Sequence, residues 1–131
     1  MKEKNIENTG AKYSEMLVQL VEQFDELLPE NLTFEETLEV GIEAWNLANN
    51  KESIGVDLYK KELKAHNHSD VIEKMVEYKL EHFADYNNII VDFSTENHIL
   101  QVKSQTFEQH FNSLISSMIN TSMININPTK K

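Results

Sequence analysis

Residues 89–103 read IIVDFSTENHILQVK, and this stretch decides the fold class. It holds two short apolar runs, 89–93 and 99–103, on either side of a polar cluster at residues 94–97. Two such runs around a short polar break predict a β-hairpin. Because a lone hairpin is only marginally stable, we expect this one to pack on the rest of the chain or to pair with another chain.

The sequence before the hairpin has the apolar period of amphipathic helices. A first helix is predicted from residue 13 to 28, where Pro29 ends it. A second begins at Thr33, which is placed to form a capping box with Glu36, and is predicted to end at Asn49-Asn50. Since only a few residues join these helices, we expect them to pack as an antiparallel αα-hairpin.

The remaining elements complete a fold that is α+β and mostly helical. Residues 51–68 are predicted as loop around Gly55, with a short helix inside. A third helix is predicted to start at the Ser69-Asp70 cap and to end at Asn87-Asn88. After the hairpin, the apolar spacing predicts a C-terminal helix over residues 106–120.

The length of 131 residues fits one domain. We expect a flexible leader at residues 1–12, a single domain over 13–120 and a flexible tail over 121–131. Apolar residues make up 40% of the chain. That fraction allows a real core, because a chain of this length buries roughly two-thirds of its unfolded surface.

Targeting signals are not visible in the sequence. The first residues lack the apolar stretch of a signal peptide, and no run approaches the roughly 18 apolar residues of a membrane-spanning helix. The chain also has no cysteine, which removes disulfide frameworks, thiolate metal sites and cysteine nucleophiles. We therefore expect a cytoplasmic protein without a membrane partner.

The net charge of −10 is unevenly distributed. Residues 1–50 carry eleven acidic residues against three lysines, whereas residues 87–131 carry three of each. An acidic surface repels phosphate backbones, and the chain has no arginine to bind phosphate or guanine bidentately. Nucleic acid is therefore not an expected partner.

Histidines are the first candidates for chemistry near neutral pH. His66, His68 and Asp70 offer three potential ligands within five residues, which would suit zinc or a similar divalent metal. The preferred interpretation is a solvated loop before a helix cap, and the metal site is the alternative. A ferritin-like di-metal site is excluded, because no glutamate stands three residues before any histidine.

Catalytic motifs of other kinds are missing. With three glycines, the chain has no known glycine pattern for a phosphate-binding loop, and it has no Gly-x-Ser-x-Gly nucleophile motif. These absences favour a protein that is not an enzyme and that holds no cofactor.

The second predicted helix carries the candidate interaction residues. Glu35, Glu39 and Glu43 share one face at i, i+4 and i+8, which indicates either a docking face for a basic partner or a solvated face. Trp45, the only tryptophan, is either a core residue or a partner contact. Asn46 is a poor helix-interior residue that needs hydrogen-bond partners if it is buried.

Two stretches carry a resemblance to known proteins. The segment from Leu28-Pro29-Glu30 through Thr33-Phe34-Glu35-Glu36 to Ala44-Trp45-Asn46-Leu47-Ala48-Asn49 resembles a segment of small helix-rich bacterial proteins of unknown function. The strand at residues 89–93 is similar to one that follows in those proteins. The resemblance covers about a third of the chain. It implies a bacterial helix-rich domain, and no functional residue is carried over from it.

The leading hypothesis is a non-enzymatic protein-interaction module. An open edge of the hairpin invites strand addition by a partner protein or by a second copy, so a homodimer through the hairpin or the terminal helix is a natural form. One alternative is a divalent-metal-binding protein or enzyme that uses His66, His68 and Asp70. Another is an acidic mimic that blocks a DNA-binding protein through the glutamate face.

Overall fold

The computed structural model describes residues 9–112, 114–115 and 117–126, with side chains described from residue 13 onward. In this part of the chain the fold is α+β and mostly helical, with four helices and a three-stranded antiparallel sheet, which confirms the predicted class. The helices are α1 (Thr9–Phe24), α2 (Phe34–Lys64), α3 (Ser69–His82) and α4 (Phe107–Phe111), and the strands are β1 (Ile89–Ser94), β2 (Ile99–Gln105) and β3 (Asn120–Asn125).

The described chain divides into two compact units. Residues 17–87 form a helical unit, and the described residues up to Met16, together with those from Asn88 onward, form a unit that holds the sheet. Helix α1 starts at Thr9, so residues 9–12, predicted as part of a flexible leader, are helical. Residues 1–8 of the predicted leader and residues 127–131 of the predicted tail lie outside the described residues. No described helix combines the length and the apolar character that a bilayer crossing requires.

Helix α2 begins as predicted and continues beyond its predicted end. The capping box is complete: the Thr33 N–H donates to Glu36 Oε1 at 2.9 Å, and the Glu36 N–H donates to Thr33 Oγ1 at 3.0 Å. The helix passes through Asn49-Asn50 and is interrupted only at Gly55, where φ is 85° and ψ is 163°. The expected stop at Asn49 was wrong because its side chain accepts a hydrogen bond from Lys79 in α3 instead of competing for its own backbone.

The core of the helical unit is made where α1, α2 and α3 present apolar faces. Its fully buried members include Leu17, Leu20, Leu38, Ala44, Trp45, Ile72, Met75 and Val76. Helices α1 and α2 meet at Gly41, where an added methyl group would lie 2.6 Å from Val21 Cγ2 and 3.2 Å from Leu17 Cδ1. A hydrogen atom in place of a side chain at Gly41 therefore allows the two helices their close approach.

Helix α3 differs from its prediction at both ends. His68 is its N-cap residue and makes no side-chain capping bond, so the expected Ser69-Asp70 cap does not form. The helix ends at His82, several residues before Asn87-Asn88.

The sheet has the order β1-β2-β3, and the predicted hairpin supplies its first two strands. Strands β1 and β2 pair from Ile89 opposite Gln105 to Ser94 opposite Gln101, with a bulge between Ile90 and Asp92. Residues up to Met16 are bonded to this unit, because the Ser14 N–H donates to Ser122 Oγ at 2.9 Å.

The segment after β2 differs most from the sequence expectation. Helix α4 is far shorter than the predicted span of residues 106–120, and β3 begins in the last residue of that span and runs into the predicted tail. The helix stops because Asn112 Oδ1 accepts from the Leu114 N–H at 2.9 Å, which gives the backbone a turn in place of another helical bond. Strand β3 then forms a ladder with β2 from Asn120 to Asn125.

Candidate functional site

A cleft of about 400 Å³ lies between α2 and the loop that leads into α3. One wall is one face of α2, and the other is the turn after Lys64. The lining residues are Leu32, Glu36, Glu39, Val40, Glu43, Ala65, His66, Asn67 and His68. Across the cleft, His66 Nδ1 lies 3.3 Å from Glu43 Oε1. The cleft thus offers carboxylates and imidazoles to a cationic group.

The structure does not assemble the predicted metal-binding trio. His66 and His68 line the cleft, but Asp70 does not. It lies in the first turn of α3, where a carboxylate is favoured by the helix dipole. Within residues 9–126, wherever side chains are described, no three histidine, aspartate or glutamate side chains are grouped so that they could hold a metal ion.

The predicted glutamate face is shifted by one residue. Glu39 and Glu43 line the cleft together with Glu36, whereas Glu35 does not. The helical repeat explains the shift, because positions i, i+3 and i+7 stay closer to one face than i, i+4 and i+8.

Trp45 lies in the core and offers no surface to a partner. Its exposed fraction is 0%, so of the two alternatives the structure supports the core residue and not the partner contact. Its ring centroid is 6.0 Å from that of Phe83, which places both rings in one aromatic cluster. Asn46, the next residue, is half-buried.

Lys79 is a charged core residue that was not among the candidates from the sequence. Its side chain is fully buried, and its Nζ donates to Asn49 Oδ1 and, at 2.9 Å, to the Tyr86 carbonyl oxygen. The same atom lies 4.8 Å from the centroid of the Trp45 ring, within the range of a cation–π contact. Burial lowers the pKa of Lys79 to about 8.

The spacing of the helix gives the signal that would have found Lys79. The buried residues of α3 are Ile72, Met75, Val76 and Lys79, which follow the i, i+3, i+4, i+7 rule. Leu80, the apolar residue after Lys79, is 36% exposed and does not follow this spacing. A lowered pKa is typical of nucleophilic lysines, but this amino group is fully buried and bonded to protein acceptors. It joins α2, α3 and the residues after α3.

The edge of β3 is the third feature that bears on function. Among the described residues β3 pairs only with β2, so its other edge has no strand neighbour. Exposed large apolar side chains lie on this strand and on the residues before it, from position 111 onward. They are Phe111, Leu114, Met118, Ile119 and Met123. The sequence signal for β3 is weak, because only Ile124 and Ile126 alternate with polar residues.

Comparison with protein-family models, with curated proteins and with solved structures finds no match. No relative therefore lends a reaction, a ligand or a residue role to this chain. The features that bear on its function are its own: the acidic cleft, the buried lysine and the edge of β3.

Proposed function

We propose that the protein is a non-enzymatic protein-interaction module that binds a β-strand of another polypeptide at the free edge of β3. The observation that carries this proposal is the set of backbone groups that β3 directs away from β2. These groups can be assigned residue by residue from the sheet register.

One hydrogen bond fixes which residues of β3 face β2 and which face the free edge. The Ile126 N–H donates to the His98 carbonyl oxygen at 2.8 Å, in the same register that sets Ile99 opposite Asn125. Opposed residues in an antiparallel pair alternate between bonded and non-bonded positions. It follows that every second residue from Ile126 bonds to β2, and that Thr121, Met123 and Asn125 direct their N–H and C=O groups to the free edge.

This edge lacks the features that usually prevent strand addition. Natural sheet edges are protected by charged residues, prolines or bulges. Residues 109–129 contain no aspartate, glutamate, lysine or arginine, in a chain that is 26% charged. Strand β1 contrasts with β3, because it is bulged next to Asp92 and its first two residues are buried. The difference supports β3 as the edge that receives a partner strand.

Photo-crosslinking in the cells that make the protein tests this proposal. A photo-reactive phenylalanine analogue is placed at position 123, and position 92 on β1 serves as the matched exposed control. We expect adducts of discrete mass from position 123 and none from position 92. Equal labelling at both positions, or no discrete adduct at position 123, would contradict the proposal.

A second candidate function is the binding of a basic segment in the acidic cleft. Three glutamates line the cleft, which favours this function, and it corresponds to the acidic-mimic hypothesis. Titration with a lysine-rich peptide at two salt concentrations tests it, with an E39Q/E43Q double variant against an E73Q/E77Q control of equal charge on α3. Equal affinities of the two variants would end this candidate, because net charge alone would then account for binding.

A further inference from the structure

We infer that the strand received at the free edge of β3 is β3 of a second copy, paired antiparallel about a two-fold axis at Met123. This inference rests on the proposed function, since it names the partner of the same edge. It is supported by the hydrogen-bond register, by the distribution of charge and by the side chains on the strand.

When two copies of β3 pair with each other, one register allows more inter-chain hydrogen bonds between the outward backbone groups than the neighbouring registers do. With Met123 opposite Met123 of the second copy, Thr121 is opposite Asn125 of that copy, and Asn125 is opposite Thr121. All three outward residues of each chain are then in hydrogen-bonded positions, for about six inter-chain bonds. A shift of two residues in either direction leaves only about four within the strand. The strand is therefore self-complementary, as an isologous contact requires.

The charge distribution favours a second copy over a charged partner. The net charge of −10 opposes contact between two copies over most of the surface. Residues 87–131 are neutral in sum, and residues 109–129 carry no charged residue at all. Contact through β3 thus brings together the parts of two copies that repel each other least. A basic partner, by contrast, would find no acidic residue on this strand.

The side chains of β3 are compatible with the same pairing. Met123 is 55% exposed on the face of the sheet opposite to Ser122, and the proposed axis sets it beside its own copy. On the other face, half-buried Ile124 comes opposite the small side chain of Ser122 of the second copy. Met123 thus meets a second methionine, and Ile124 meets the small side chain of a serine. Neither contact buries a charge.

Because the chain has no cysteine, single cysteine substitutions report the register directly. We expect M123C to form an inter-chain disulfide under mild oxidation. The control is T121C, whose two copies would be four residues out of register and about 13 Å apart, beyond the roughly 7 Å that a disulfide spans. The T121C/N125C double variant is expected to cross-link again. Failure of M123C, or equal cross-linking of T121C, would overturn the register.

The solution mass of the unmodified chain tests the dimer itself. Light scattering at two salt concentrations is expected to give twice the chain mass at both, because the contact carries no charge. M123K, which sets two like charges opposite each other, is expected to give a monomer, whereas S53K, an exposed change of equal charge in α2, is expected to remain a dimer. A monomer for the unmodified chain up to about 100 μM, well above the micromolar range of ordinary specific association, would overturn the inference.

The photo-crosslinking adducts separate this inference from the proposed function. An adduct of twice the chain mass from position 123 supports both. An adduct only with a different protein overturns the self-pair and leaves strand addition at β3 standing. A dimer in solution that M123C does not cross-link and M123K does not disrupt overturns the self-pair alone, because the copies would then meet elsewhere and the edge of β3 would remain open to a different protein.

Discussion

Lys79 Nζ lies 4.8 Å from the centroid of the Trp45 ring, in the core of the helical unit. The other groups around the amine are acceptors as well, namely Asn49 Oδ1 and the Tyr86 carbonyl oxygen. An ammonium group has three donors and no acceptor, so this environment suits its protonated form. Burial acts in the opposite direction and lowers the pKa to about 8. Two opposing effects therefore act on the pKa of Lys79: desolvation favours the neutral amine, and hydrogen bonding favours the ammonium form.

The lowered pKa of Lys79 makes stability depend on pH. Since the folded-state pKa is about 8 against 10.5 for an ordinary lysine, the unfolded chain binds this proton more tightly. The stability that the neutral amine contributes is present above pH 10.5 and is lost as the pH falls through 8. We expect the unfolding free energy of the unmodified chain to rise by up to about 3 kcal/mol, relative to K79M, between pH 7 and 10.5.

Urea denaturation of both chains across that range is the measurement. The difference between the chains removes the titration of groups that they share, such as Tyr59, whose pKa is raised mainly by burial. Parallel pH profiles for the unmodified chain and K79M would show that Lys79 keeps its ordinary pKa in the folded state.

Substitution of Gly41 tests the close contact between α1 and α2. Alanine at this position gains about 1 kcal/mol of helix propensity, but its methyl group would lie 2.6 Å from Val21 Cγ2. Overpacking of this kind costs about 1–3 kcal/mol, so we expect G41A to lower the unfolding free energy by about 1 kcal/mol. A double-mutant cycle with V21A measures the contact: G41A should cost less in the V21A background, and equal costs would rule the contact out.

Substitution of Gly55 tests the backbone conformation at that position, without a contribution from side-chain contacts. Nothing lies within 4 Å of a methyl group added there, yet φ of 85° and ψ of 163° belong to a region that only glycine occupies readily. We expect G55A to lower the unfolding free energy by about 1–3 kcal/mol. Thermal denaturation beside S53A, an exposed change in the same helix, provides the control. A stabilised G55A would mean that the helix runs through position 55 without a break.

Loss of the Thr33 hydroxyl tests the capping box of α2. T33A removes the acceptor for the Glu36 N–H and is expected to cost about 1 kcal/mol of unfolding free energy. T33S keeps the hydroxyl and should retain most of that stability. Chemical denaturation of the three chains makes the comparison. Equal losses for T33A and T33S would assign the effect to the threonine methyl group instead.

The correct sequence predictions are those that depend on local chemistry. The capping box needs only Thr33 and Glu36, and the hairpin needs only the two runs around residues 94–97, so both were predicted. The end of α2 was missed because Asn49 is held by Lys79, thirty residues further along the chain. Strand β3 was missed for the same kind of reason, since its apolar residues have a weak period and its ladder depends on β2.

In the candidate site, too, individual residues could be predicted from the sequence, whereas their packing and grouping could not. The sequence placed Glu39, Glu43, His66 and His68 among its candidates, and the structure brings all four to one cleft. It does not bring Asp70 there, because adjacency in sequence does not fix where a helix begins. Trp45 was interpreted as either a core residue or a partner contact, and only the packing of α2 against its neighbours decides for the core.

The bulge between Ile90 and Asp92 has a consequence for how far the sheet can grow. A sheet with two usable edges adds chain after chain and becomes a fibre. In the described sheet the far edge is bulged and begins in buried residues, so the self-pair that we propose would use the more open of the two edges. Assembly would then stop at two chains and six strands, and residues 109–129, which carry no charge and are otherwise a hazard for aggregation, would have a defined end point.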